Sequence, residues 1–102
     1  MKTTTIPEIE LYYLSGCPYC RKARSAIEAL CAENPAYAEI PLRWIEEREE
    51  PALADARDYY RVPTLFCGDE KLYEASPAHS EADIRKNIQA AFDHVLNKRT
   101  EA

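Results

Sequence analysis

Three observations predict a three-layer α/β domain, with elements in the order β-α-β-α-β-β-α and a four-stranded mixed sheet flanked by helices. Apolar residues follow strand-like patterns near 8–14, 40–44, 64–67 and 71–73, and helical spacing over 20–31 and 84–95. Prolines and glycines punctuate these segments where helices start and strands turn. The chain has 102 residues, 46% hydrophobic and 30% charged, a balance that fits one globular domain rather than a disordered or fibrous segment. Residues 1–102 therefore read as a single domain. A chain of this size buries roughly 60–70% of its unfolded surface, enough for one core.

The first strand spans Glu8 to Leu14, with Ile9, Leu11 and Tyr13 on one face and Glu10, Tyr12 and Leu14 on the other. The second face is also mostly apolar, as in a strand covered on both sides. Ser15-Gly16 breaks it. Pro18 suits the first turn of a helix, and Cys20, Ala23, Ile27, Leu30 and Cys31 form its inner stripe. Asn34-Pro35 ends that helix. Ile40, Leu42 and Trp44 alternate as a second strand, and Pro41 within it points to a sheet edge, because proline cannot donate to a ladder. A helix separates these two strands, so they should run parallel.

Pro51 opens a second helix carrying Leu53, Ala56 and Tyr60. The run Glu46–Glu50 before it reads as a solvated loop and first helical turn. Thr64–Cys67 and Lys71–Tyr73 flank the turn Gly68-Asp69-Glu70 and form a hairpin. Ser80 is the expected N-cap of a last helix, with Glu81 and Asp83 in its first turn. Ile84, Ile88, Ala91 and Val95 form its inner stripe, and it should end near Lys98-Arg99.

Composition also excludes several function classes. Two glycines leave little room for a glycine-cradled nucleotide site. Thirteen Lys and Arg against eighteen Asp and Glu give a net charge of −5, which argues against nucleic-acid binding. No apolar run approaches the roughly eighteen residues of a membrane span. The stretch Met1–Pro7 lacks the apolar region of a secretory leader. The expected setting is thus the cytoplasm, where thiols stay reduced. Four cysteines there point to redox or metal chemistry rather than a disulfide framework.

The informative segment is Cys17-Pro18-Tyr19-Cys20. This spacing places Cys17 just before or at a helix start and Cys20 in its first turn. Unpaired backbone N–H groups and the helix dipole favour a thiolate at that position. Arg21, Lys22 and Arg24 add positive charge nearby. Cys17, the more accessible thiol, is the expected nucleophile, and Cys20 the resolving thiol. A metal clip is the competing reading of any Cys-x-x-Cys pair. No second such pair is present, and Cys31, Cys67, His79 and His94 have unusual spacing for a zinc site. No metal is expected.

Ser15-Gly16-Cys17-Pro18-Tyr19-Cys20 resembles the active-site segment of the dithiol glutaredoxins, and Val62-Pro63-Thr64 resembles that family's cis-proline loop. With the element order, the resemblance covers about residues 8–97 and implies a thioredoxin-like fold. It implies that Cys17 attacks a disulfide and Cys20 resolves it, that Pro63 is cis, and that the Val62 backbone pairs with glutathione or peptide. It also implies that Tyr19 flanks the bound thiol and that Arg21 or Lys22 offers charge to a glutathione carboxylate. Disulfide-containing proteins or glutathione would be the partners of a monomer, with glutathione as the reductant.

One departure stands out. The family carries a Gly-Gly pair before the last helix, whereas here Tyr73–Ser80 contains no glycine. Ser80 and the helix N-terminus remain as a place for a carboxylate. A thioredoxin reductase is the alternative reductant, and a non-catalytic metal or iron–sulfur module the alternative from another class. Elsewhere, Cys31 and Cys67 read as small buried hydrophobes and His79 and His94 as surface or capping groups. Trp44 reads as strand packing, and Tyr60 as core with Tyr59 and Arg61 on the groove rim.

Overall fold

The computed structural model of the protein describes residues 4–98 and 100–101. The elements are β1 (Thr4–Thr5), β2 (Ile9–Tyr13), α1 (Pro18–Glu33), α2 (Pro35–Ala38), β3 (Leu42–Glu46), α3 (Pro51–Asp55), β4 (Thr64–Cys67), β5 (Glu70–Glu74), α4 (Glu81–Asn97) and β6 (Thr100–Glu101). The main sheet has strand order β3-β2-β4-β5. β2 pairs with β3 in parallel, and the other two pairings are antiparallel. This is the expected mixed sheet, with β3 at an edge. β1 and β6 add a short antiparallel ladder. Arg99 and Met1–Thr3, on which the expected helix end and the leader reading fall, lie outside the described residues. Among the described residues no helix is long and apolar enough to cross a membrane.

The period-two pattern divides the core into two unequal layers. Ile9, Leu11, Leu65 and Tyr73 face α1 and α4, where Ala23, Ile27, Leu30, Ile84, Ile88, Phe92 and Val95 complete the main cluster. On the opposite face the apolar cluster among the described residues is Tyr12, Ile45 and Phe66, with Leu53, Ala54, Tyr59 and Val62 packed against them. Arg57 closes this thin layer: its guanidinium lies 4.8 Å from the centre of the Phe66 ring and 2.6 Å from the Glu10 carboxylate.

Helix ends follow local chemistry. Ser80 accepts the Asp83 N–H and the Asp83 carboxylate accepts the Ser80 N–H, a reciprocal capping box at the start of α4. Asn34 ends α1 as expected, but its side chain also accepts the Ala36 N–H at 3.0 Å and so starts α2, an element the Asn-Pro signal alone did not reveal.

Four sequence expectations need correction. α3 stops at Asp55, so Tyr60 lies outside it and is 90% exposed. Tyr59 is the residue that packs inward, 5.3 Å from Tyr12 and 6.2 Å from Phe66, ring centre to ring centre. Glu46 is not solvated: it closes β3 and is buried. Pro41 precedes β3 rather than lying within it, and its carbonyl accepts the Ile9 N–H at 2.9 Å.

Candidate active site

β2 delivers the chain to a turn at Ser15-Gly16, where Gly16 takes φ +85°, a left-handed conformation glycine adopts freely. Cys17 follows as the N-cap of α1, with Pro18 in the first turn. The Cys17 sulfur accepts the Cys20 backbone N–H at 3.3 Å, so it satisfies one of the free donors of the helix end. Its thiol also points to the Val62 carbonyl oxygen, 3.9 Å away. The Val62–Pro63 peptide is cis.

The two thiols differ in environment. Cys17 is half-buried, while Cys20 is 7% exposed on the inner face of α1. Burial first, and then the neighbouring Cys17, push the Cys20 thiol up to about 12. Cys20 therefore keeps its proton at neutral pH. The four cysteines are all free thiols.

The turn is held from the β3 side. Glu46 ends β3 directly beside Tyr13 in the parallel register. Its carboxylate accepts the Ser15 N–H at 3.3 Å, the Arg48 N–H at 2.6 Å and an Arg48 guanidinium N–H at 3.3 Å. The Arg48 guanidinium also donates to the Ser15 carbonyl at 3.3 Å. These bonds, led by the Arg48 backbone N–H, hold the Glu46 carboxyl below its ordinary range. The loop before Pro63 is held from the other side. Glu74 accepts the backbone N–H groups of Tyr60 and Arg61, at 2.9 and 3.0 Å, and Thr64 Oγ1 donates to the Arg61 carbonyl.

Cys17, Cys20, Val62 and Pro63 thus come together. Tyr19 and Val62 line a cavity of about 200 Å³ with Arg61, Ala75, Ser76 and Pro77. Arg21 does not join it. It lines a separate cavity of about 240 Å³ with Cys17, Arg24 and Trp44. Arg24 lies beside the thiols, as the sequence suggests; sequence reasoning missed Trp44 and Glu46 as neighbours of the site, and only the parallel pairing of β3 with β2 brings these two there. Ser80, a candidate acceptor of a substrate carboxylate, already belongs to the capping box with Asp83, which occupies that helix end with the protein's own carboxylate.

The remaining candidates lie apart. Cys31 and Cys67 are half-buried and pack against the main cluster, and burial pushes the Cys31 thiol up. The His79 ring stacks on Tyr73 with its Nδ1 2.9 Å from the hydroxyl, and His94 lies 3.0 Å from Glu70. Among the described residues no group of three or more His, Cys, Asp or Glu side chains is placed to hold a metal ion.

A four-stranded mixed sheet flanked by helices, with a helix-capping cysteine opposite a cis-proline loop, defines a protein of the thioredoxin fold. The chain belongs to the family described as "Glutathione S-transferase, N-terminal domain", whose sequence model matches residues 11–77. Thioredoxin 1 from the thermophilic eubacterium Thermosipho africanus TCF52B superposes with a TM-score of 0.56 at 16% identity, over 88% of this chain and 98% of that one. That likeness shows the fold. No curated protein sequence matches the chain significantly.

Proposed function

We propose that the protein is a thiol–disulfide oxidoreductase of the glutaredoxin type, with Cys17 as nucleophile and Cys20 as resolving thiol. The observation that carries this reading is the placement of the Cys17 sulfur: it caps α1, is half-exposed and stands 3.9 Å from the Val62 carbonyl. The Cys17 thiolate attacks one sulfur of a substrate disulfide. A bond forms between them, the substrate S–S bond breaks, and the departing sulfur leaves with the electron pair and takes a proton. Cys20 then loses its proton and attacks the Cys17 sulfur, releasing the second thiol. The substrate disulfide gains two electrons and the Cys17–Cys20 pair becomes a disulfide.

The high Cys20 value suits this sequence. Its proton is held partly by the adjacent Cys17 sulfur, and that influence weakens once Cys17 is bonded to substrate. Resolution is thereby favoured after the first step rather than before it. The cavity of Tyr19, Val62 and Arg61 is the natural seat for the bound half of the substrate, with the Val62 backbone as its partner. The family's name links it to glutathione, which supports glutathione or a glutathionylated protein as substrate.

A second reading of the reductant has its own support. The α4 N-terminus carries Asp83 and Glu81, and its Ser80 cap is already engaged, so a glutathione carboxylate meets negative charge there. This favours a redoxin recycled by a flavin-dependent thioredoxin reductase. On either reading the proposed protein is a cytoplasmic monomer that reduces protein disulfides or protein–glutathione mixed disulfides.

The test is intact-mass spectrometry of Cys20→Ser mixed with oxidised glutathione, with peptide mapping. A single glutathione on Cys17 is expected, and Cys17→Ser should lose exchange. Adducts on Cys31 or Cys67 instead, or full turnover by Cys17→Ser, would overturn the assignment. Supplying the oxidised wild type with glutathione, or with NADPH and thioredoxin reductase, separates the two reductants. If neither reduces it and anaerobically purified protein carries iron or zinc, the metal-module reading takes its place.

A further inference from the structure

The cavity of about 240 Å³ opens between the first turns of α1 and the β3 edge of the sheet, with Cys17, Arg21, Arg24 and Trp44 in its walls. It shares no lining residue with the Tyr19–Val62 cavity. The sheet order explains the separation: Trp44 lies on one edge strand, and Ala75–Pro77 follow the other. Cys17 thus stands between two pockets, and the reading above uses only one of them.

Arg24 gives the second pocket its character. Its guanidinium carbon lies 4.3 Å from the centre of the Trp44 ring and 6.0 Å from that of Tyr13. The two rings meet edge to face at 5.8 Å. Stacking on the indole restrains the guanidinium while leaving its in-plane N–H groups free to donate. Arg21 stands at the same cavity, tied to the Gly16 carbonyl at 3.2 Å.

Among the described residues neither arginine has a carboxylate within ion-pair distance, whereas Arg43, Arg48, Arg57, Arg85, Lys71 and Lys98 each have one. The buried carboxylate nearest in sequence to Trp44, Glu46, is engaged by Arg48 and the Ser15 N–H. In a chain of net charge −5, two guanidiniums without carboxylate partners therefore flank the candidate nucleophile.

We propose that this cavity is a second substrate pocket, which takes a carboxylate a few bonds from the disulfide that Cys17 attacks. The ligand is a carboxylate-bearing disulfide, either a small dithio-diacid or a peptide disulfide with an acidic neighbour. The proposal rests on the disulfide-exchange reading above. The pocket holds the carboxylate and exchanges no electrons: Cys17 forms the new S–S bond, the old one breaks, and the departing thiolate is protonated by water.

The test is single-turnover oxidation of the reduced protein, followed by quenched-flow mass spectrometry, with dithiodiglycolate and with neutral hydroxyethyl disulfide. Arg24 is exposed, so Arg24→Gln should fold normally. It should slow the diacid about five- to tenfold more than the neutral disulfide, because any effect of the lost charge on the Cys17 sulfur is common to both substrates. Arg24→Lys should recover part of the loss, and added salt should erode the preference in the wild type. Peptide disulfides flanked by Asp or by Asn identify the source. A loss confined to the diacid assigns a small-molecule ligand, and a loss that includes the Asp peptide extends the pocket to peptides. If the wild type exchanges with both small disulfides but Arg24→Gln slows both equally or neither, the pocket is overturned and the exchange reading stands. If the wild type exchanges with neither, both fall together.

Discussion

The backbone N–H of Cys20 points at the sulfur of Cys17, 3.3 Å away, while its own thiol is turned into the helix-facing core. One residue thus stabilises its partner's sulfur through the main chain and keeps its own proton through burial. Alkylation should expose the difference. With the Cys20 thiol pushed up to about 12 by burial and then by Cys17, Cys20 stays almost wholly protonated at pH 7. Iodoacetamide at that pH should label Cys17 and leave Cys20 unlabelled, as read by peptide mapping. Labelling of Cys20 in Cys17→Ser should rise steeply with pH. Equal rates at pH 7 would contradict the buried environment.

The same group makes stability pH-dependent in a defined direction. Its value in the folded chain lies above that of an ordinary cysteine, so folding favours the neutral thiol. This contribution is complete below the unfolded value of about 8.5 and is lost as pH rises toward 12. Cys20→Ala should flatten the alkaline decline in denaturation midpoint relative to the wild type. An unchanged slope would remove Cys20 as its source.

Burial, and then the nearby Glu47 carboxylate, push the Tyr59 hydroxyl up, yet among the described residues no group meets this buried hydroxyl in good hydrogen-bond geometry. An unsatisfied buried hydroxyl costs stability, so Tyr59→Phe should stabilise the fold by about 1 kcal/mol in urea denaturation. The neighbouring Tyr60, 90% exposed, serves as the control, with Tyr60→Ser within about 0.5 kcal/mol of the wild type.

Ile88 is fully buried between α4 and the sheet, in the layer that also holds the inner face of α1. Ile88→Ala should cost about 2–5 kcal/mol of stability. Below the new melting range, the Cys17 glutathione adduct should form at the wild-type rate, because Ile88 lies deep in α4 and outside both cavities. A large drop in adduct rate in the folded variant would show that the packing of α4 controls the site.

The contrast between Tyr59 and Tyr60 also shows which features could be read from sequence. The sheet, the two long helices and the Cys17–Cys20 turn rest on patterns repeated several times within one segment, so local chemistry was enough. α3 has five residues and buries none of them, so no stripe marked its end, and helical spacing extended to Tyr60 chose the wrong tyrosine. Glu46 was hidden for another reason. It sits in a charged run, and it is buried because β3 reaches that far in parallel with β2. Arg24 meets Trp44 only once α1 lies against that edge strand. Each of these depends on a partner 20 or more residues away, which no periodicity reports.

Glu46 carries the last prediction. Its carboxylate is buried and joins the end of β3 to the turn that presents Cys17, through Ser15 and Arg48. Glu46→Ala leaves the Ser15 and Arg48 N–H groups without this acceptor and frees the Arg48 side chain. Thermal stability should fall, and Cys17 should react more slowly because the turn no longer fixes the helix cap. Glu46→Gln keeps an amide oxygen as acceptor and should lie between. The pH dependence follows from the sign of the shift. The carboxyl is held below its ordinary range by those N–H donors, so its contribution is present above the unfolded carboxyl value, about 4.3, and is lost as pH falls through the lower folded value. Acid unfolding monitored by far-UV circular dichroism should show the wild type losing more stability than Glu46→Gln between pH 5 and pH 3. If the two curves fall in parallel and Cys17 reacts equally fast in all three proteins, Glu46 is only part of the strand end and does not position the site.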